Sequence, residues 1–415
     1  MTNELFGNAI VGQSGGPTTA INATLTGVVR GAIASKYIPT IYGMRNGIEG
    51  LLERRIIDLN EALSDSENLH MLERTPAAAL GSCRMKLPDP FSGSDTDIAV
   101  FEKIFRIFYE YNIKYFFYIG GNDSMDTVAK IAKFGEKIGY DIRVVGIPKT
   151  IDNDLVETDH TPGYGSAAKY VATTMQEIIR DCAVYTIKAV TIVEIMGRDS
   201  GWLTAATAVG SVINGQAPDL VYLPERAFDM NAFYNDVEKA FEKHPNLVIA
   251  VSEGIRFADG RYVGESAQSG SADVFGHKYL SGTARALEMA VKLRFGCKVR
   301  AVELNLPQRC AGHLFSKTDI NESVAIGKEA VRAATEKGVT GEMMIFERVS
   351  NKPYCYAISH RRVAEIANKV KNVPDEYIND EGNFVTEECC RYILPLIEGE
   401  ATPTYHKGIP QYLVL

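Results

Sequence analysis

Residues 113–124 read IKYFFYIGGNDS, and this stretch decides the fold. Ile113 to Ile119 is aromatic and β-branched, as a strand buried on both faces should be. Gly120 and Gly121 break it, and Thr127 to Gly139 then carries apolar residues at helical spacing. The unit is strand, glycine loop, helix. It recurs upstream, where NAIVGQ (8–13) runs into Ser14, Gly15 and Gly16 and then a helical Ala20 to Ile33. Downstream, Ile142 to Ile147 leads into GIPKTIDND (146–154), then PGYGS (162–166) and a helix-like Ala167 to Asp181. AVTIVEI (189–195) is followed by MGRDSG and a small-residue helix from Trp202 to Val212. Two further strands, Leu220 to Leu223 and Leu247 to Val251, flank the amphipathic FYNDVEKAFEKH, and SEG (252–254) ends the second.

Strands separated by helices of this length call for parallel pairing through crossover connections, hence a doubly wound α/β fold. The rest is assigned as follows: loops and short helices over 40–98, a polar loop at 257–282 and a helix near 283–295. A strand at Arg300 to Asn305 and a helix near 318–337 follow, then a strand-like EMMIFER, a helix at 361–371 and a tyrosine- and proline-containing tail.

At 415 residues with 46% hydrophobic content the chain can bury sizeable cores in two or three domains. Its net charge of −8, without long runs of one sign, argues against broad nucleic-acid or anionic-membrane binding. No apolar run approaches the roughly 18 to 20 residues of a membrane span, and the N-terminus lacks signal-peptide order, so the cytoplasm is expected. The seven cysteines form no CxxC pair or regular framework and read as thiols, the vicinal Cys389 and Cys390 included. Trp202 and the tail tyrosines read as packing or interface residues, and His160, His277 and His313 as solvated or capping.

The polar residues fall in one kind of place. SGG (14–16), GGNDS (120–124), PKTIDND (148–154), MGRDSG (196–201) and SEG (252–254) all follow strands, and parallel strands put those ends on one side of a sheet. Taken alone, TIDND reads equally well as a solvated turn with Asn153 and Asp154 as caps. Together with two glycine loops that open helices, where bare amides form phosphate cradles, it reads as a site. Lys149, Arg84, Arg198, Arg300 and Arg309 are the candidate basic partners. The chain has no Walker loop, no dinucleotide GxGxxG, no HExxH and no paired zinc ligands. What remains is phosphoryl transfer with oxygen ligands and a hard cation such as Mg²⁺.

These motifs, in this order from Gly12 to about Lys337, resemble the phosphofructokinases, and within them the pyrophosphate-dependent branch. The resemblance implies two Rossmann-like three-layer domains with mainly parallel sheets and the active site in the cleft between them. Residues 1–163 plus about 308–358 would form the larger, donor domain. Residues 164–307 plus about 359–415 would form the smaller, sugar-phosphate domain with a C-terminal extension. The implied reaction is reversible, Mg²⁺-dependent transfer from pyrophosphate to the 1-hydroxyl of fructose 6-phosphate. A silent regulatory subunit on the same fold is the alternative, and sedoheptulose 7-phosphate remains open as a further substrate.

By the same resemblance Asp152 is the base that deprotonates the sugar hydroxyl, and Asp154 and Asn122 lie on the metal side. Asn122 stands where the family carries aspartate. Ser14, Gly15, Gly16, Ser124 and Lys149 hold the donor, and Arg84 reaches the transferring phosphoryl group. Thr150, Ile151, Met196, Gly197, Arg198 and Glu253 bind the sugar phosphate, whose 6-phosphate is held by Arg300 and Arg309. Lys188 or Ala189 replaces a family arginine, and Leu306 an aromatic residue or histidine. Lys149 and Asp123 match the pyrophosphate users where ATP users have glycines. Asp123 would put bulk and charge in a nucleotide's path, and Lys149 supplies a cation to a bare pyrophosphate. A homodimer or homotetramer is implied, with the sugar-phosphate site at a subunit interface.

Overall fold

The computed structural model describes residues 5–265 and 282–415, so His277 and most of the polar loop expected at 257–282 lie outside the described residues. The first half of the chain runs β1 (Asn8–Gln13), α1 (Ile21–Ala34), β2 (Ile41–Met44), α2 (Gly47–Leu52), β3 (Ile56–Asp58), α3 (Leu59–Ala62), α4 (Ser66–Glu73), α5 (Asp95–Glu110), β4 (Ile113–Gly120), α6 (Asn122–Ile138) and β5 (Arg143–Pro148). Next come α7 (Tyr164–Cys182), β6 (Ala189–Ile195), α8 (Trp202–Ala206), β7 (Leu220–Tyr222), α9 (Met230–Lys243), β8 (Asn246–Ser252), α10 (Thr283–Phe295) and β9 (Lys298–Glu303). The chain closes with β10 (Phe315–Ser316), α11 (Lys317–Glu336), β11 (Glu342–Asn351), β12 (Tyr354–Arg362), α12 (Val363–Ile366), α13 (Glu387–Ile393) and short extended pieces.

Two sheets organise these elements. The seven-stranded sheet has the order β12-β11-β5-β4-β1-β2-β3, parallel except for its antiparallel edge strands β12 and β3. The four-stranded sheet, β7-β8-β6-β9, is parallel throughout. The period-2 alternation of a strand explains why each sheet is covered on both faces. Along β4, Tyr115, Phe117 and Ile119 enter the core under α1 and α11, while Phe116 and Tyr118 enter the one under α5 and α6. Along β6, Val193 and Ile195 face one core and Val190 and Ile192 the other.

The helices carry matching faces. In α6 the buried Ser124, Thr127, Val128, Ile131, Phe134 and Gly135 form one stripe, and Gly139 ends the helix in the left-handed conformation at φ 69°. Helices α1 and α11 approach so closely that a Cβ on Gly27 would stand 2.2 Å from the Val324 carbonyl oxygen.

Three sequence expectations are corrected. Residues 40–98 hold the two short strands β2 and β3 as well as helices. The helix expected at 361–371 shrinks to Val363–Ile366, because β12 runs to Arg362 and the chain then turns away at Asn368, φ 64°. His160 is neither solvated nor a cap, being 3% exposed and ringed by carboxylates.

That histidine sits at the centre of a buried ionic cluster. Its Nδ1 lies 2.8 Å from Asp159 Oδ2, its Nε2 2.7 Å from Glu322 Oε2 on α11, and its ring stacks on Phe346 of β11 at 4.6 Å. Arg348 pairs with Asp159 at 3.0 Å, and Tyr354 donates to Glu322 at 2.7 Å. Burial by itself depresses the imidazolium, but the two carboxylates outweigh it and hold the His160 pKa at about 9. Because the folded value lies above the ordinary 6.5, the charged ring stabilises the fold fully below about pH 6.5. That contribution disappears as pH rises through about 9. Thermal unfolding of the protein and of His160→Gln, compared from pH 6 to pH 10, should therefore show the largest gap in Tm at the acid end, narrowing as the pH rises.

Candidate active site

The C-terminal ends of β1, β4 and β5 are adjacent in the larger sheet, with Gln13 opposite Ile119 and Gly120 opposite Pro148. Three loops therefore converge: 14–16, 121–124 and 149–154. From the smaller sheet, the ends of β6 and β8 bring Arg198 to Ser200 and Glu253 to the same cleft. The cavity between them has a volume of about 510 Å³.

Its floor is the glycine loop. Gly15 takes φ 78°, a left-handed conformation that favours glycine, and a Cβ there would lie 3.2 Å from the Lys149 ammonium. Lys149 Nζ donates to the Gly16 carbonyl at 2.5 Å, and Ser82 Oγ donates to the Gly15 carbonyl at 2.5 Å. Two of the loop's amides are committed as well, Ser14 N donating to Ile119 O at 2.9 Å and Gly15 N to Cys83 O at 3.2 Å, so the amide of Gly15, expected at the donor, is turned to the protein and that of Gly16 is the one to consider for a phosphate. Lys149 is 3% exposed, and burial pulls its pKa down to about 8 against the opposing pull of Asp152 and Asp154. It remains mostly protonated at neutral pH.

Asp152 and Asp154 share the loop that begins at Thr150, whose hydroxyl accepts from the Asp152 amide at 3.1 Å. Between them Asn153 adopts φ 52°, fully buried, with Nδ2 donating to Tyr392 Oη at 3.1 Å. This kink turns both carboxylates into the cavity. Burial first, then the charge of Asp154, raises the Asp152 pKa; burial also raises that of Asp154. Two carboxyl groups kept from ionising freely suit one as a base and the other as the partner of a cation.

Across the cleft, Gly197 takes φ 136° and donates its amide to Glu253 Oε1 at 3.3 Å. Glu253 is pushed up to about 8, first by burial and then by the neighbouring carboxylates, so at neutral pH it is a neutral acid able to donate to a hydroxyl. Arg309 approaches the glycine loop, its Nη1 lying 3.5 Å from where a Cβ on Gly16 would stand.

Of the residues expected from the sequence, Ser14, Gly15, Gly16, Arg84, Asn122, Asp123, Ser124, Lys149, Thr150, Asp152, Asp154, Arg198 and Glu253 line this one cavity. Ile151 points elsewhere, packed 7% exposed in the core beneath the smaller sheet, and Met196 packs against that same core. Lys188 and Arg300 are not brought to the cleft. Lys188 precedes β6 and lies over the Phe241 ring at 4.6 Å, and Arg300 pairs in register with Thr191, near the N-terminal end of the strands. Arginine at the third position of β9 therefore faces the edge opposite Arg198. The amide of Asn122, expected on the metal side, is committed to backbone: Nδ2 donates to Lys369 O and Oδ1 accepts from Asn368 N, both at 2.6 Å.

Sequence reasoning missed Met85, Lys86, Asp199, Ser200, Asn368 and Val370, which also line the cavity. Lys86 forms an ion pair with Asp123 at 3.0 Å. Two signals were available: MGRDSG (196–201), the polar segment after β6 that holds Asp199 and Ser200, and asparagine at 122, an amide where a charged ligand was expected. Among the described residues no cluster of three or more His, Cys, Asp or Glu could hold a metal ion.

Comparison with known proteins agrees with this geometry. The family model described as Phosphofructokinase matches residues 8–304. A protein of Methylococcus capsulatus named pyrophosphate--fructose 6-phosphate 1-phosphotransferase is 41% identical, covering 98% of this chain and 96% of its own length. One of the same name from Halomonas elongata is 39% identical, covering 97% and 95%. The crystal structure of a pyrophosphate-dependent phosphofructokinase from Nitrosospira multiformis superposes with a TM-score of 0.87 at 35% identity, covering 98% and 96%. On the sequence match, the shared architecture and the cleft alike, the chain belongs to the phosphofructokinase family.

Proposed function

We propose that this chain transfers a phosphoryl group reversibly between pyrophosphate and the 1-hydroxyl of fructose 6-phosphate, giving fructose 1,6-bisphosphate and phosphate. The observation that carries the reading is the buried Lys149 ammonium, held on the Gly16 carbonyl beside Asp152 and Asp154. Asp152 takes the proton of the sugar hydroxyl as its oxygen bonds to phosphorus, and the bond to the leaving phosphate breaks. Lys149, Arg84 and the amide of Gly16 stabilise charge on the passing phosphoryl group. Glu253 and Arg198 orient the sugar, and Arg309 meets its 6-phosphate.

Asp154 offers a hard oxygen donor that fits Mg²⁺, with phosphate oxygens and water to complete the set. Bound there, the cation would offset charge on the pyrophosphate. The committed amide of Asn122 makes it a poor member of that set. Lys86 paired with Asp123 fills space beside the α6 N-terminus that a nucleoside would need, which favours pyrophosphate over ATP. A silent sensing subunit is not favoured, since the curated relatives of full length carry enzyme names.

We assign residues 1–163 and about 308–366 to a donor domain and 164–307 and about 367–404 to a sugar-phosphate domain; the expected boundary at 358 moves because β12 stays in the seven-stranded sheet to Arg362 and Val363 and Ile366 pack in its core, to which Leu413 and Leu415 of the tail also return. Lys188 and Arg300 we assign to the cleft of a neighbouring subunit in a homodimer or homotetramer. Exposed Val184, Tyr185 and Ile187, at 70, 57 and 55%, support this by giving the same sheet edge an apolar surface. Seven free cysteines are in keeping with a cytoplasmic enzyme.

Offered pyrophosphate and ATP side by side with fructose 6-phosphate, the protein should turn over with pyrophosphate; turnover with ATP alone would overturn the assignment. Asp152→Asn should lower kcat by roughly 10² to 10⁴, as loss of a general base does. Mixing inactive Asp152→Asn with inactive Arg300→Ala subunits should restore part of the activity, because some mixed sites are intact. No recovery after subunit exchange would place Arg300 outside the site.

A further inference from the structure

The chain after α12 crosses the cleft from one sheet's side to the other. On the larger sheet's side Asn122, the first residue of α6, grips Asn368 N and Lys369 O as described above. On the other side the Lys371 carbonyl accepts from Ser200 Oγ and Trp202 Nε1, both at 3.1 Å, and Val373 N donates to Glu225 Oε1 at 2.9 Å. Midway, Lys371 N donates to the Asp154 carbonyl at 2.8 Å, and the Lys371 ammonium donates to Thr158 O at 3.1 Å and to Asp159 O. Asn368 and Val370 face the cavity. The N-terminus of α6, where the donor phosphates would sit, thus lies between two walls, with Lys86 on Asp123 forming one and residues 368–370 the other.

We propose that residues 367–371 form the end wall of the donor pocket and that Asn122 is the positioning residue that latches it. Held in place, the wall limits the donor to two phosphoryl groups. This rests on the pyrophosphate reading above. The latch explains why position 122 carries an amide. Gripping a backbone N–H and a backbone C=O at once takes one acceptor and one donor, which asparagine has and ionised aspartate lacks. A carboxylate at 122 would accept from Asn368 N but face the Lys369 carbonyl with no proton between them, at a cost comparable to a lost hydrogen bond. A metal-side residue at 122 would have the reverse preference, since a carboxylate binds a hard cation better than an amide does.

The probe is tripolyphosphate, the linear donor one phosphoryl group longer than pyrophosphate. The protein should discriminate against it. Asn122→Ala and Asn122→Asp should each raise the ratio of tripolyphosphate to pyrophosphate kcat/KM at least tenfold and raise the pyrophosphate KM severalfold. Both should leave the fructose 6-phosphate KM within about twofold, and both should speed amide hydrogen exchange across 368–371. Val370→Ala, which thins the wall without touching the latch, should raise the same ratio with exchange unchanged. Circular dichroism melts confirm that each variant is folded. An Asn122→Asp variant that tightens the apparent Mg²⁺ requirement with exchange over 368–371 unchanged would return Asn122 to the metal and overturn the latch. A donor ratio unmoved in all three variants would overturn the wall. Failure of the unaltered protein to use pyrophosphate would sink the function, not the latch, which the exchange comparison reads by itself.

Discussion

A single buried ammonium sets the terms for this cleft. Lys149, nearly sealed from solvent, must be matched by acceptors or it would cost more than the fold can bear. The Gly16 carbonyl and the carboxyl groups of Asp152 and Asp154 supply that match. Each demand passes outward. A carbonyl turned to the lysine favours glycine at 15, and a pair of carboxylates aimed inward requires the left-handed Asn153 between them. The site is thereby assembled before any ligand arrives, which electrostatic catalysis requires.

The C-terminal part of the chain holds that assembly rigid. Tyr392 receives Asn153 and donates to Asp159 O, Arg348 bonds Asp159 and the Tyr392 carbonyl, and Lys371 braces the backbone of 154, 158 and 159. The catalytic loop is therefore sandwiched between the strands that launch it and an extension that arrives more than 200 residues later. The His160 cluster continues the same bracing to α11 and β11.

How much of this was legible depended on the kind of interaction. Strands buried on both faces, such as β4 and β6, announce themselves as continuous apolar runs, and the glycine loops that follow them mark the cleft. Strands β2 and β3 have four and three residues, too few for a period to show. Arg300 lies near the start of its strand and so stands away from its own subunit's cleft, and the contacts that would carry it to a neighbour's site leave no local pattern. The 368–371 crossing left no pattern at all, since most of what secures it is the grip of distant side chains on its backbone, to which most of its own side-chain identities are indifferent. His160 looked solitary because Glu322 lies 162 positions away.

A donor end closed as proposed would have an energetic consequence. A nucleotide brings a base and ribose whose contacts, remote from the chemistry, can be spent on orienting the reacting phosphate. A donor bounded by Lys86, Asp123 and residues 368–370 has no such handle. All of its affinity must come from charges that also act on the transition state. Binding and catalysis would then draw on the same few groups, so neither could be tuned without the other.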